Sequence, residues 1–111
     1  MTWDDVRSIL SPLPETVEGP VYGSPGFRVG KRFLTRLREP DVIVLRCGFD
    51  EREMLMEAEP QTFFITDHYR NYPAVLARLS GVHPGTVERL LMQSWREVAT
   101  KRALRALDGP R

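Results

Sequence analysis

The run Val42–Cys47, VIVLRC, constrains the fold most. It is nearly all apolar, without the alternation of a strand that shows one face to water. Such a strand belongs at the centre of a sheet, buried on both sides. A central strand needs neighbours, and the sequence before it supplies two. Phe27–Val29 and Arg32–Arg38 read as strands, joined by Gly30-Lys31. That pair suits a two-residue type II′ hairpin turn, which wants glycine first. Glu39-Pro40-Asp41 makes the next turn into the central strand.

The flanks read as helices and two more strands. Thr2 caps a helix to Leu10, with Asp4 and Asp5 in its first turn and a stripe of Trp3, Val6, Ile9 and Leu10. Pro12 and Pro14 end it. Turn formers dominate Glu15–Gly26, with room for a short edge strand near Thr16–Glu18. Asp50–Glu57 is a short helix, with Asp50 as N-cap and Glu53 completing a capping-box pair. Thr62–Thr66 and Tyr72–Leu79 are strands around the polar loop Asp67–Asn71. A last helix runs from Pro84 or Gly85 to Ala106, burying Val87, Leu90, Leu91, Trp95 and Val98. Asp108-Gly109-Pro110 stops it. The order αβββαββα predicts a two-layer α+β fold: a mainly antiparallel five-stranded sheet with helices packed on one face.

At 111 residues the chain fits a single domain spanning 1–111. A domain of this size buries roughly 65% of its unfolded surface, enough for a core without disulfide or metal. Cys47 is the only cysteine and lies in the apolar strand. It reads as a small buried hydrophobe suited to a reducing compartment. The acidic start MTWDDV is unlike a signal peptide. No apolar run reaches the ~20 residues of a membrane span. A cytoplasmic protein with no membrane partner is expected.

Net charge is +1, but the basic residues are 14 arginines and 2 lysines. Coding bias in a GC-rich genome produces such a ratio, and so does selection for bidentate anion contact. Arg28, Lys31, Arg32, Arg36 and Arg38 lie within eleven residues, uninterrupted by acid. Strict alternation puts Arg32, Leu34, Arg36 and Arg38 on one face, and Phe33, Thr35 and Leu37 on the other. Such a row can follow a phosphate backbone. It is equally the solvated, aggregation-resistant face of an ordinary strand.

Arg70 in DHYRNYP sits among His68, Tyr69 and Tyr72, where it can stack on a base or grip an anion. The tyrosines can instead anchor the loop on the core. The candidate nucleic-acid-binding residues are therefore Arg28, Lys31, Arg32, Arg36, Arg38 and Arg70. Neither His68 nor His83 has metal ligands at useful spacing, and no cofactor or metal is expected. No phosphate-binding loop or dinucleotide fingerprint occurs. Ser94 and Cys47 have no histidine at fixed local spacing, so no catalytic residue is assigned.

Taken in order, TWDDVRSILSPLPE, YGSPGFRVGKRFLTRLR, VIVLRCGFDEREML, EPQTFFITDHYRNYPAVLARL and LLMQSWREVATKR resemble the MmcQ/YjbR family in a form common among actinobacteria. The resemblance covers almost the whole chain. It departs at Val29-Gly30-Lys31-Arg32, where the family's usual V-x-G-K turn has glycine one place later. The resemblance implies a secretion-chaperone-like fold with the element order above. It also implies DNA binding, the function usually attached to the family through a double-wing likeness. The alternative partner is a protein, held by an adaptor's exposed sheet face or by a homodimer interface.

Overall fold

The computed structural model describes residues 1–109. Pro110, expected to help stop the last helix, lies outside the described residues. Helix α1 (Trp3–Leu10) is capped by Thr2. The Thr2 hydroxyl accepts from the Asp5 amide, and the Asp5 carboxylate accepts from the Thr2 amide at 2.8 Å.

Six strands follow, one more than expected: β1 (Thr16–Val21), β2 (Ser24–Val29), β3 (Arg32–Glu39), β4 (Val42–Arg46), β5 (Phe63–Phe64) and β6 (Ala74–Arg78). The sheet order is β1-β2-β3-β4-β6-β5, and every pair is antiparallel. The extra strand is β1. Gly19 and Pro20 argue for a turn, but an edge strand tolerates a residue that cannot donate to a ladder. The turn itself is Tyr22-Gly23, with φ of +52° and +79°. Positive φ at both positions is what a type I′ hairpin requires.

Helix α2 (Phe49–Ala58) begins earlier than expected. Gly48 is its N-cap, and Asp50 lies inside the first turn, where its charge still opposes the helix dipole. The fourth expected strand shrinks to β5, and a 3₁₀ turn (Asp67–Tyr69) leads toward β6. The long last helix is two helices, α3 (Pro84–Val98) and α4 (Lys101–Asp108). Thr100 breaks it. Its hydroxyl accepts from the Ala103 amide at 3.0 Å and donates to the Glu15 carboxylate at 3.1 Å. A tertiary contact thus fixes a capping rotamer where local propensity would continue the helix.

The main core lies between the sheet and the helices. Val6, Leu10, Phe27, Val29, Leu34, Ile43, Leu45, Val75, Leu91 and Trp95 are buried in it. The Trp95 indole donates to the Thr16 hydroxyl at 2.8 Å, tying α3 to the edge strand. A smaller cluster covers part of the opposite, outer face: Val42, Val44, Tyr69, Ala74 and Leu76, with Phe33, Phe64 and Ile65 against it. β4 therefore feeds both clusters, as its unbroken apolar run requires.

The β2–β3 hairpin keeps the two-residue turn. Val29 pairs with Arg32, and Gly30 has φ of +60°. Beyond Arg28↔Phe33 the ladder slips, because the next pair is Phe27↔Thr35 and Leu34 has no partner. This bulge inserts a residue and changes the phase of the strand. It lets a II′ turn and an apolar core face coexist.

Candidate functional site

The bulge dissolves the expected arginine row. Arg32 lies on the helix side, across from buried Val29, and its guanidinium reaches the Val98 carbonyl at 3.5 Å. Leu34, Thr35 and Leu37 follow on that side: Leu34 and Leu37 belong to the main core, and Thr35 pairs with Phe27 and Leu45. Phe33 and Arg36 face outward. Arg38 sits at a second register slip and pairs with Glu39 at 3.1 Å. Arg28 is exposed on the outer face across from Phe33, and Lys31 is exposed in the turn. Arg70 is exposed and ion-paired with Asp67 at 2.6 Å. Strict alternation thus misassigns the face of Arg32 and Leu34 relative to Arg36, since a bulge leaves no mark in a two-residue pattern.

The outer face carries a cleft of about 610 Å³ instead. Its lining gathers the three tyrosines of the chain: Tyr22 from the β1–β2 turn, Tyr69 from the 3₁₀ turn and Tyr72 beyond it. His68, Arg36 and Arg46 complete the polar wall, over a floor of Phe33, Val44 and Ala74. The side chains interlock. Arg36 lies 5.6 Å over the Tyr22 ring and donates to the Tyr69 hydroxyl at 3.1 Å. His68 meets Tyr69 edge-on at 4.8 Å and stacks with Tyr72 at 5.8 Å. Tyr69 is the anchor, at 8% exposure, whereas Tyr22 and Tyr72 are 87% and 56% exposed.

Two supports hold this arrangement. Arg52 of α2 is 8% exposed and donates to four backbone carbonyls: those of Tyr69, Tyr72 and Ala74 from Nη1, at 3.0, 2.8 and 3.2 Å, and that of Arg70 from Nη2, at 3.0 Å. A guanidinium spends its charge there shaping the loop that carries His68, Tyr69 and Tyr72. The second support is Gly26, across from Arg36. A Cβ there would lie 2.5 Å from Val21 Cγ2 and 3.0 Å from the Thr35 carbonyl. Only glycine lets β1 close down beside Arg36.

The cleft lining contains no Asp or Glu. Among the described residues Arg36 has no carboxylate partner. Arg46 has a loose one, Glu97 at 3.5 Å, and its Nε is buried without an acceptor. The cleft is thus electropositive, aromatic and short of anions. Among the described residues no three His, Cys, Asp or Glu side chains gather as a metal site would need. Cys47 is buried, and that burial, with Glu51 nearby, pushes its thiol up to about 11. Such a group is inert as a nucleophile near neutral pH. The Ser94 hydroxyl is bonded to the Leu90 carbonyl at 2.8 Å.

Sequence reasoning placed Arg36 and the DHYRNYP aromatics among the candidates. It missed Tyr22, Arg46 and Arg52. The one available signal was Tyr22-Gly23, a pair compatible with a type I′ turn between strands.

Comparison with known proteins bears on the whole chain. The YjbR family model matches residues 11–97. Uncharacterized proteins of Mycobacterium tuberculosis and Mycobacterium bovis are 32% identical to it, over 95% of this chain and 94% of theirs. The crystal structure of the Deinococcus radiodurans protein DR2400, which carries a DUF419 domain, superposes with a TM-score of 0.78 at 26% identity, covering 98% of this chain and 89% of that one.

Proposed function

The chain belongs to the YjbR family, and from that premise we propose that it is a non-enzymatic nucleic-acid-binding module working through the open face of its sheet. One observation supports this reading above the others: arginines and aromatic rings interleave on that face. Arg28 flanks Phe33, Arg36 lies over Tyr22, and Arg78 lies 4.1 Å over Phe64. Guanidiniums contact phosphate and rings stack on bases, which together make the sequence-tolerant surface of single-strand binders. The contact surface differs from a hairpin row. Of the hairpin residues it uses Arg28 and Arg36, and it recruits Arg46 and Arg78. A reducing, cytoplasmic setting suits the buried Cys47 thiol.

The test is a titration of single-stranded DNA, RNA and heparin at two salt concentrations. Four phosphate contacts on a single strand give a log–log slope of about −2.8. The triple variant Arg28→Ala, Arg36→Ala, Arg78→Ala should flatten that slope to about −0.7. A salt-independent affinity, or one unchanged in the triple variant, would sink the proposal.

A second reading is an adaptor or homodimer seated on the same face, favoured by the exposure of Val17, Tyr22 and Tyr72. Light scattering separates them: a stable dimer whose interface is lost in Tyr72→Ala supports the adaptor.

A further inference from the structure

We propose that the outer cleft is a discrete site for one unpaired nucleotide: a planar base stacked on the tyrosines, with its phosphate held by Arg36 and Arg46. This inference rests on the nucleic-acid reading and narrows its ligand.

The size is right for one small ligand. A cleft of about 610 Å³ falls within the range of small-molecule sites. Its chemistry asks for two things in one molecule. The floor of Phe33, Val44 and Ala74 and the exposed rings of Tyr22 and Tyr72 ask for a flat apolar body. Arg36 and Arg46, with no carboxylate in the lining, ask for an anion.

Two details point beyond a generic basic patch. Arg46 Nε is buried without an acceptor among the described residues, and the carboxylate nearest that guanidinium, Glu97, stands off at 3.5 Å, so its charge is loosely compensated. Tyr22 holds a φ of +52°, a left-handed conformation natural to glycine, while its ring stays 87% exposed. An aromatic residue displayed at a strained turn gains little from the fold itself. Its ring contacts Arg36 and is free to contact a ligand. The Tyr69 hydroxyl, accepting from Arg36, holds that guanidinium in place before any ligand arrives.

The base must be unpaired. Inside a duplex both faces of a base are already stacked, so none is open to a tyrosine ring. The same nucleotide chemistry comes either from a free mononucleotide or from a residue within a single strand.

Tyr22→Gly supplies an unusually clean test, because glycine suits the backbone at that position and the variant should fold at least as well as the parent. The full chain and its Tyr22→Gly, Tyr72→Ala and Arg36→Gln variants would be titrated with five probes. These are adenosine 5′-monophosphate, uridine 5′-monophosphate, adenosine, inorganic phosphate and an eight-nucleotide single strand, with the blunt duplex of that strand as competitor. Melting temperatures would be recorded alongside.

The expected result is saturable binding of a monophosphate or of the strand. Adenosine and phosphate should each bind at least about tenfold more weakly, and the duplex should compete poorly. Tyr22→Gly should lower affinity about tenfold with an unchanged or raised melting temperature, which is the loss of one base–ring contact. Tyr72→Ala and Arg36→Gln should act in the same direction.

Strand binding that is indifferent to Tyr22→Gly and Tyr72→Ala, without mononucleotide binding, overturns the site and leaves the module reading standing. Mononucleotide binding without strand binding does the reverse. Equal competition by the duplex also overturns the site. Binding of none of the probes overturns both.

Discussion

The two faces of the sheet are built from the same strands, yet they end in different states. The helix side receives Phe27, Leu34, Ile43, Leu45 and Val75, and α1, α3 and α4 close it with Val6, Leu10, Trp95 and Ala103. The outer side receives Phe33, Val44, Ala74 and Leu76, and a single 3₁₀ turn covers part of it through Tyr69. Closure leaves the helix side fully buried and largely apolar. Partial cover leaves the outer side a floor of apolar residues with tyrosines and guanidiniums standing around it. The difference teaches where selection for packing stops on this scaffold. On the outer face Arg36 and Arg78 meet rings and a hydroxyl and Arg46 has only a loose partner in Glu97, whereas Arg7, Arg89, Arg96 and Arg102 elsewhere on the surface meet carboxylates closely. Cations left short of anions mark the face that can still bind something.

Four measurements can break or sharpen this contrast. The largest effect belongs to the closed side. Trp95 is fully buried, so Trp95→Ala should destabilise the fold by about 4 kcal/mol in denaturant unfolding. A loss under ~1 kcal/mol would mean that the helix side is not the main source of stability. Next comes Arg52→Met, at about 3 kcal/mol, because four carbonyls lose a charged donor at once. Amide exchange should rise locally at residues 67–74 while the helix-side strands stay protected. A uniform rise would show that the outer face has no stability of its own to lose.

Gly26→Ala should cost about 2 kcal/mol, since the new methyl meets Val21 and the β3 backbone. It should also displace Tyr22, which a change in tyrosine ring resonances would report. The smallest effect is a pH dependence on the closed side. The Arg7 guanidinium holds the Glu18 carboxyl below the ordinary carboxylate value of 4.5, helped by the Trp3 indole and partly opposed by burial. A lowered folded pKa adds stability that is fully present above the unfolded value and is lost as pH falls through the folded one. The melting-temperature gap between the parent and Arg7→Met should therefore persist at neutral pH and narrow once the pH falls below the ordinary carboxylate value. A gap that is constant with pH would assign the effect of Arg7 to packing.

Much of the fold was legible in the residues. The apolar run of β4, the stripe Val87–Leu91–Trp95 of α3, the Thr2 cap and the Gly30-Lys31 turn each carry a local signal strong enough to survive folding. Where legibility failed, two signals of similar strength competed. Thr100 reads as one more helical residue until Glu15 accepts a hydrogen bond from its hydroxyl. Gly19-Pro20 reads as a turn until an edge position excuses the missing donor. Asp50 reads as a cap until Gly48 takes the role. The candidate site was legible only in pieces. Arg36 and the DHYRNYP aromatics stood out by type and spacing. Arg52 did not, since a buried arginine on a short charged helix looks like a surface one.

Local chemistry alone determined that β3, β4 and β6 are strands, that the chain turns at Gly30-Lys31, and which residues of α1 and α3 seek a core. Those choices depend on φ preferences, caps and periodicity within a few residues of each other. Only the tertiary structure decided which side of the sheet each β3 side chain faces. One unpaired residue at Leu34 reverses the phase of the strand, and the ladder adopts it because Leu34 and Thr35 can then both be buried beneath the helices. That slip sends Arg36 outward to meet Tyr22 and Tyr69, residues on either side of it in the chain. Their convergence depends on packing across the whole sheet, and no window of sequence contains it.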